Sequence, residues 1–150
     1  MTMLINKADL QDLEALADLL AVLFSQEAEF AVDRAKQRIG LTTILENPNV
    51  GLILVAREQT RVVGMVSLLF TISTALGGRV ALLEDMVVLP DYRAQGVGSQ
   101  LLQEALNEAK RLGCLRVSLL TDGNNDKAHA FYQRLGFVQS EMVVFRQRLD

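Results

Sequence analysis

Leu82-Leu83-Glu84-Asp85-Met86-Val87-Val88-Leu89-Pro90-Asp91-Tyr92-Arg93-Ala94-Gln95-Gly96-Val97-Gly98-Ser99 changes its period halfway along. Up to Leu89 it is dense in strand formers, and Pro90-Asp91 breaks the run. Beyond a short loop, apolar residues recur at Val97, Leu101, Leu102, Ala105, Leu106, Ala109 and Leu112, one face of a helix that Gly113 stops. The stretch therefore reads as strand, tight loop and helix N-terminus. Gly96 and Gly98 let backbone N–H groups turn toward an anion without side-chain obstruction, and the helix adds the positive end of its dipole. Arg93 brings a charge-assisted donor, so the loop reads as a diphosphate cradle. It is neither of two familiar phosphate loops: a dinucleotide fingerprint needs glycine where Leu101 stands, and a P-loop needs a Gly-Lys-Ser/Thr end that is absent. Two glycines alone would also serve a plain strand-to-helix turn.

Upstream, Leu10, Leu13, Leu16, Leu19, Leu20, Leu23 and Phe24 mark a first amphipathic helix that Asp9 can cap. Phe30, Ala31, Ala35, Ile39, Thr42, Ile44 and Leu45 suggest a second, ended by Asn47-Pro48-Asn49. Leu52 to Ala56, Val62 to Phe70 and Val80 to Leu89 read as consecutive antiparallel strands. Val62 to Ala75 carries no charge, but it falls short of the ~20 residues of a membrane span and is broken by Gly64, Ser67 and Thr71. Downstream come a strand at Leu115 to Leu120, a helix at Asn124 to Leu135 ended by Gly136, and a last strand at Phe137 to Leu149. With a small strand at Met3 to Asn6, the order ααβββαβαβ predicts a mixed α/β sandwich around one sheet.

The 150 residues are half apolar, enough for one domain, 1–150, with its own core. Cys114 is the sole cysteine, which excludes an internal disulfide and any thiolate zinc cluster. With 15 Lys+Arg against 18 Asp+Glu, the net charge of −3 argues against nucleic acid as a partner. Charges at Lys7 and Asp9 precede any long apolar run, so no signal peptide is expected and the cytoplasm is the expected location.

A second segment, Asn125-Asp126-Lys127-Ala128-His129-Ala130-Phe131-Tyr132-Gln133-Arg134-Leu135-Gly136-Phe137, joins the first. Arg93-Ala94-Gln95-Gly96-Val97-Gly98 resembles the Arg/Gln-x-x-Gly-x-Gly motif of the GNAT acetyltransferase superfamily. Asn125, Ala128, Phe131 and Tyr132, followed by Gly136-Phe137, resemble its Asn-x-x-Ala-x-x-Phe-Tyr motif. Both stand in the family's order with one strand between them, and the resemblance covers the chain from about Val80 onward. It implies an α/β (α+β) fold of the acyl-CoA N-acyltransferase type, with a mixed, mostly antiparallel central sheet and helices on both faces.

The resemblance also implies roles. Acetyl-CoA would rest its diphosphate on the backbone of Ala94, Gln95, Gly96, Val97, Gly98 and Ser99, with Arg93 nearby. Met86, Val87 and Val88 would offer backbone groups to the pantetheine arm, and Asn125 would approach it from the other side. Ala128 and Phe131 fill motif positions of the same helix. Tyr132 corresponds to the residue near the thioester sulfur, where a phenol can protonate the departing thiolate. Glu84 is the candidate base for the attacking amine, because in a regular strand it shares a face with Met86 and Val88. A bulge would spoil that parity and leave Asp85 as an alternative. Both acids could instead be structural partners of Arg79 or Arg116, and Tyr132 could be a core aromatic with a bonded hydroxyl.

Of the other chemistry-bearing residues, His129 reads as a solvated surface histidine, Cys114 as a small core residue, and Arg146 and Arg148 as a solvated strand face. One histidine gives no metal site. The expected reaction is direct acetyl transfer from acetyl-CoA to a primary amine, a small molecule in preference to a protein N-terminus or lysine. Glu27, Glu29, Asp33, Glu84 and Asp85 would suit a cationic acceptor, shaped by the first two helices and the Thr71 to Arg79 turn. A non-catalytic acyl-CoA-binding or sensory module is the rival reading, as is a donor with a longer acyl chain. No membrane partner is expected, and the edge of the last strand could pair with a second copy as a homodimer.

Overall fold

Three apolar runs between Gly51 and Val88 form the middle of the sheet, because each has a neighbour on both sides. The computed structural model describes residues 3–26 and 32–150. There the runs are β2 (Gly51–Glu58), β3 (Arg61–Ser73) and β4 (Gly78–Val88), paired as antiparallel neighbours. β1 (Leu4–Lys7) lines up antiparallel to β2, and β5 (Val117–Leu119) lies parallel to β4, giving the order β1-β2-β3-β4-β5. β2 and β3 are buried almost throughout, the pattern of strands covered on both faces. β3 and β4 run on to Ser73 and Gly78, so the expected Thr71 to Arg79 turn shrinks to four residues, 74–77.

On one face lie α1 (Leu13–Ser25) and α2 (Arg34–Glu46). Leu16, Leu19, Leu20 and Leu41 pack there against Ile53, Val55, Met65 and Val87. Asp9 caps as expected, but the first turn is a 3₁₀ turn, Leu10–Asp12, closed by reciprocal bonds between Asp9 and Asp12. Asp33 caps α2 through Lys36 N–H; Phe30 and Ala31, read as part of that helix, and Glu27 and Glu29, read as acids for the acceptor, lie outside the described residues. Ile39, expected in the core, is 69% exposed, and Leu41 is buried in its place. The rotation follows from Arg34 and Arg38, which lie in the same stripe as Leu41 and both bind Glu14 of α1.

On the other face, α3 (Val97–Arg111) buries Val97, Leu101, Leu102, Ala105 and Ala109. Each fully buried leucine contributes roughly 1.5–3 kcal/mol. Gly64 of β3 permits this approach: a Cβ there would come within 2.9 Å of the Leu101 side chain and 3.3 Å of the Val87 carbonyl oxygen. Arg57 of β2 donates to both oxygens of Asp12 at 2.8 Å and to Asn6 of β1, tying the 3₁₀ turn to the sheet edge.

The chain forms two compact units, Met1–Leu120 and Thr121–Asp150. The second holds α4 (Asp126–Arg134). The expected last strand, Phe137 to Leu149, is not formed: 137–150 carry no regular secondary structure. A strand needs a ladder neighbour for its backbone, and among the described residues the sheet ends at β5. β5 itself is shorter than the expected Leu115 to Leu120. Among the described residues no helix is long and apolar enough to cross a membrane.

Candidate active site

β4 carries an irregularity where the chemistry was expected. Met65 of β3 pairs with Val87 and Ser67 with Glu84, so Val66 stands opposite two residues, Asp85 and Met86. Asp85 takes up the extra length with φ of 48°. Ser67, 1% exposed, donates its hydroxyl to the Glu84 carbonyl at 2.9 Å and so ties the start of the bulge to β3. No sequence argument singled out Ser67; its only signal was a hydroxyl within the apolar run Gly64-Met65-Val66-Ser67-Leu68.

The bulge overturns the expected parity. Cross-strand partners share a face, so Glu84 lies with Ser67 on the side of α1 and α2, as Val87 does with Met65. Val88, opposite Gly64, lies on the α3 side. Glu84 and Val88 therefore do not share a face. Arg79 offers its guanidinium to the Phe70 ring, 4.8 Å from the centroid.

Past the bulge the edge of β4 changes character. The ladder with β5 covers only Ala81 to Leu83, opposite Val117 to Leu119. Leu89 N–H donates to Val63 O, so the N–H and C=O of Val88 point away from β3, toward the side where that ladder has ended. The Val88 carbonyl accepts from Arg93 Nε at 3.1 Å. The expected diphosphate ligand Arg93 is thus anchored along the strand end.

The 3₁₀ turn Pro90–Tyr92 follows, then the glycine loop. Ala94 and Gly96 are left-handed, with φ of 60° and 84°. Gly96 is the N-cap of α3, no side chain caps that end, and a Cβ on Gly96 would meet nothing within 4 Å. The first N–H groups of this 15-residue helix thus have no side-chain cap, an end whose chemistry suits an anion. Gln95 braces the loop by donating to Asp91 O at 3.0 Å. Tyr92 donates to Glu58 at 3.0 Å beneath the Arg61 guanidinium, a brace the sequence did not reveal. An open cleft of about 390 Å³ lies elsewhere, between the start of α1 and the β2–β3 turn. Its charged lining is engaged, Asp12 with Arg57 and Asp18 with Arg34.

In the second unit, Asn125 caps α4 by accepting from Ala128 N–H at 3.1 Å through its amide oxygen, so the cap does not use its NH2. Tyr132 meets Phe131 and Phe137 edge to face, and burial pushes its phenol pKa up, so the hydroxyl keeps its proton at neutral pH. His129 is not the solvated side chain expected: half-buried, it contacts the Asp122 carbonyl through Nε2 at 2.9 Å and closes the loop before α4. In the first unit, burial raises the Cys114 thiol pKa, which makes it a poor nucleophile. No group of three or more metal-ligating side chains occurs among the described residues.

Residues 13–137 match the acetyltransferase (GNAT) family. Over 136 residues, 91% of this chain and 85% of the relative, the sequence is 32% identical to the aminoalkylphosphonate N-acetyltransferase of Salmonella typhimurium. Among solved structures, a possible acetyltransferase from Clostridium difficile 630 superposes with a TM-score of 0.90 at 18% identity, covering 100% of this chain and 99% of that one. An aminoglycoside N-acetyltransferase in complex with CoA superposes with a TM-score of 0.83 at 21% identity, covering 98% and 95%. Both share the fold.

Proposed function

The chain belongs to the GNAT acetyltransferase family and is an acetyl-CoA-dependent N-acetyltransferase; from that premise we propose that it moves the acetyl group directly onto a small primary amine, with Glu84 and Tyr132 handling the protons. The observation that carries the site is the continuity of the β4 edge with the α3 N-terminus. The edge opens past Leu83 and leads through Val88 and Arg93 to the uncapped end at Gly96. In this reading Met86 and Val88 hold the pantetheine and thioester through their backbones, whereas Val87, opposite Met65, turns its N–H and C=O into the β3 ladder and is not a ligand; Arg93 with Ala94 to Ser99 holds the diphosphate. Asn125 turns its NH2 to the same arm, and Ala128 and Phe131 shape the α4 side.

The amine must lose a proton before it attacks, and Glu84, on the face of α1 and α2, accepts it directly or through water. The amine nitrogen then bonds to the thioester carbonyl carbon and the C–S bond breaks. Tyr132 donates its phenol proton to the leaving thiolate, and its raised pKa keeps that proton available. Positioning supplies most of the rate. The two units act as one catalytic domain in the cytoplasm, a reading supported by a family match that runs across both. A small acceptor is supported by the 32% identical relative, named for its action on aminoalkylphosphonates.

Calorimetric titration with acetyl-CoA, with dephospho-CoA and NAD as controls, tests the donor site. Saturable binding of acetyl-CoA without binding of NAD is expected. Thiol release is then followed over a panel of small amines, amino sugars and peptides. Turnover confined to peptides would replace the small-molecule acceptor by a protein, and absence of acetyl-CoA binding would remove the site altogether.

A further inference from the structure

We propose that Tyr92, gripped by Glu58 and Arg61 of the β2–β3 hairpin, is a positioning residue for the donor: it keeps the glycine loop in the shape that receives the diphosphate of acetyl-CoA. This role rests on the donor site proposed above. Arg57 and Val62 stand opposite each other on β2 and β3 and turn to the side of α1 and α2, Arg57 to Asp12 and Val62 into that core. Glu58 and Arg61, the next pair, close the hairpin around Gln59-Thr60 and so lie on the opposite face, the face of α3. Both engage Tyr92. Its hydroxyl donates to Glu58 Oε1 at 3.0 Å in part-buried surroundings, and the Arg61 guanidinium stands 5.7 Å from its ring centroid. A charge-assisted hydrogen bond and a cation–ring contact thus fix this one side chain to the end of the hairpin.

The loop that Tyr92 leads into needs such a hold. Ala94 is a non-glycine residue at φ 60°, and Gly96 follows at 84°. A left-handed alanine persists only where its surroundings keep it there. Three side-chain contacts do so: Tyr92 to Glu58, Arg93 Nε to the Val88 carbonyl at 3.1 Å, and Gln95 Nε2 to the Asp91 carbonyl at 3.0 Å. The last two reach back only five and four residues, so they stay within the end of β4 and the loop itself. Of the three, Tyr92 alone reaches a separate hairpin, 34 residues away. Without its hydroxyl bond the loop relaxes at Ala94, and the shape that receives the diphosphate becomes a fraction of the population. Apparent affinity for acetyl-CoA then falls by the inverse of that fraction. No proton or acyl group passes through Tyr92, so the effect falls on donor binding far more than on turnover.

Calorimetric titration with acetyl-CoA and steady-state kinetics test the role in Tyr92→Phe, which keeps the ring beneath Arg61 and loses only the hydroxyl. Its Kd and KM for acetyl-CoA are expected to rise about five- to thirtyfold, the factor that corresponds to the cost of one left-handed alanine. kcat at saturating acetyl-CoA should change far less, and far-UV circular dichroism should not change. Glu58→Gln keeps an acceptor for the hydroxyl and should lose less affinity than Glu58→Ala. Adding Glu58→Ala to Tyr92→Phe should cost little more, because both remove the same bond. The sharpest arm adds Ala94→Gly to Tyr92→Phe: glycine takes the left-handed conformation without strain, so most of the lost affinity is expected to return. Unchanged affinity in Tyr92→Phe, a fall in kcat as large as the rise in KM, or a loss that Ala94→Gly leaves untouched overturns the role while the donor site stands. Absence of acetyl-CoA binding by the wild type would remove the donor site, and this role with it.

Discussion

Ser67 shows how much a single hydroxyl can determine. Its bond to the Glu84 carbonyl ties down the bulge on the side of β3, and the bulge in turn sets which way Met86, Val87 and Val88 present their backbones. Replacing Ser67 by alanine leaves that carbonyl without its side-chain donor, at a cost of about 1 kcal/mol in stability. If the bulge aligns the thioester, Ser67→Ala also lowers kcat with little change in KM for acetyl-CoA, and Ser67→Thr restores part of it. A thermal melt read beside steady-state kinetics separates the two effects, and a loss of stability at full kcat would leave Ser67 a packing residue only. At Tyr132 the sign of the pH effect follows from burial. A raised phenol pKa extends the protonated, proton-donating form to higher pH. The alkaline limb of wild-type kcat is therefore expected above the ordinary tyrosine range. Tyr132→Phe should lower kcat and abolish that limb, whereas an unchanged pH–rate profile would remove the phenol as the acid.

Elements differ in how far their sequence revealed them. α3 was legible because one apolar face, one glycine stop and one glycine loop all agree. Gly96 bears this out in conformation, and its role can be divided by substitution. Any side chain at φ 84° costs about 1–2 kcal/mol, so Gly96→Ala and Gly96→Glu should melt alike. Only Gly96→Glu puts negative charge in front of the uncapped helix end, and calorimetry should show acetyl-CoA binding lost there but retained, weakened, in Gly96→Ala. Equal affinity in the two would mean that no diphosphate rests at this end. α2 was misread in rotation, because its inward face is set by Arg34 and Arg38 reaching Glu14, a contact between helices that periodicity cannot contain. The parity of β4 failed for a similar reason: nothing within Glu84-Asp85-Met86 announces the bulge, which is defined by pairing with β3. The segment 137–149 looks like a strand from its residues alone, but a strand is a property of two chains of backbone and its sequence names only one.

At the scale of the whole molecule, carboxylates add ion pairs between elements that the core already packs together, and this makes stability depend on pH in one direction. Asp12 joins the first turn to β2 through Arg57, Glu14 joins α1 to α2 through Arg34 and Arg38, and Glu108 of α3 meets Arg111 and Lys7 of β1. Their arginine partners hold all three carboxyls below the ordinary range, Glu14 at about 2. A carboxyl whose pKa is depressed by folding takes up protons more readily in the unfolded chain. Its contribution is complete above the ordinary carboxylate range and is lost as pH falls through the folded value. The melting temperature should therefore hold steady above about pH 5 and fall continuously on acidification toward pH 2. Glu14 is exposed and screened, so its share should shrink in added salt. The Asp12–Arg57 pair is nearly buried, with side chains 10% and 19% exposed, and should persist. Asp12→Asn keeps the shape but leaves the Arg57 guanidinium without its counter-charge, at a cost of about 2 kcal/mol at neutral pH. For a domain of this size that is a fall of about 4–8 °C in melting temperature. The same variant should lose less than the wild type on acidification, because one of the three titrating groups is gone. Calorimetric melts of both proteins from pH 7 to 2 decide the point: parallel curves would show that Asp12 does not couple proton uptake to folding.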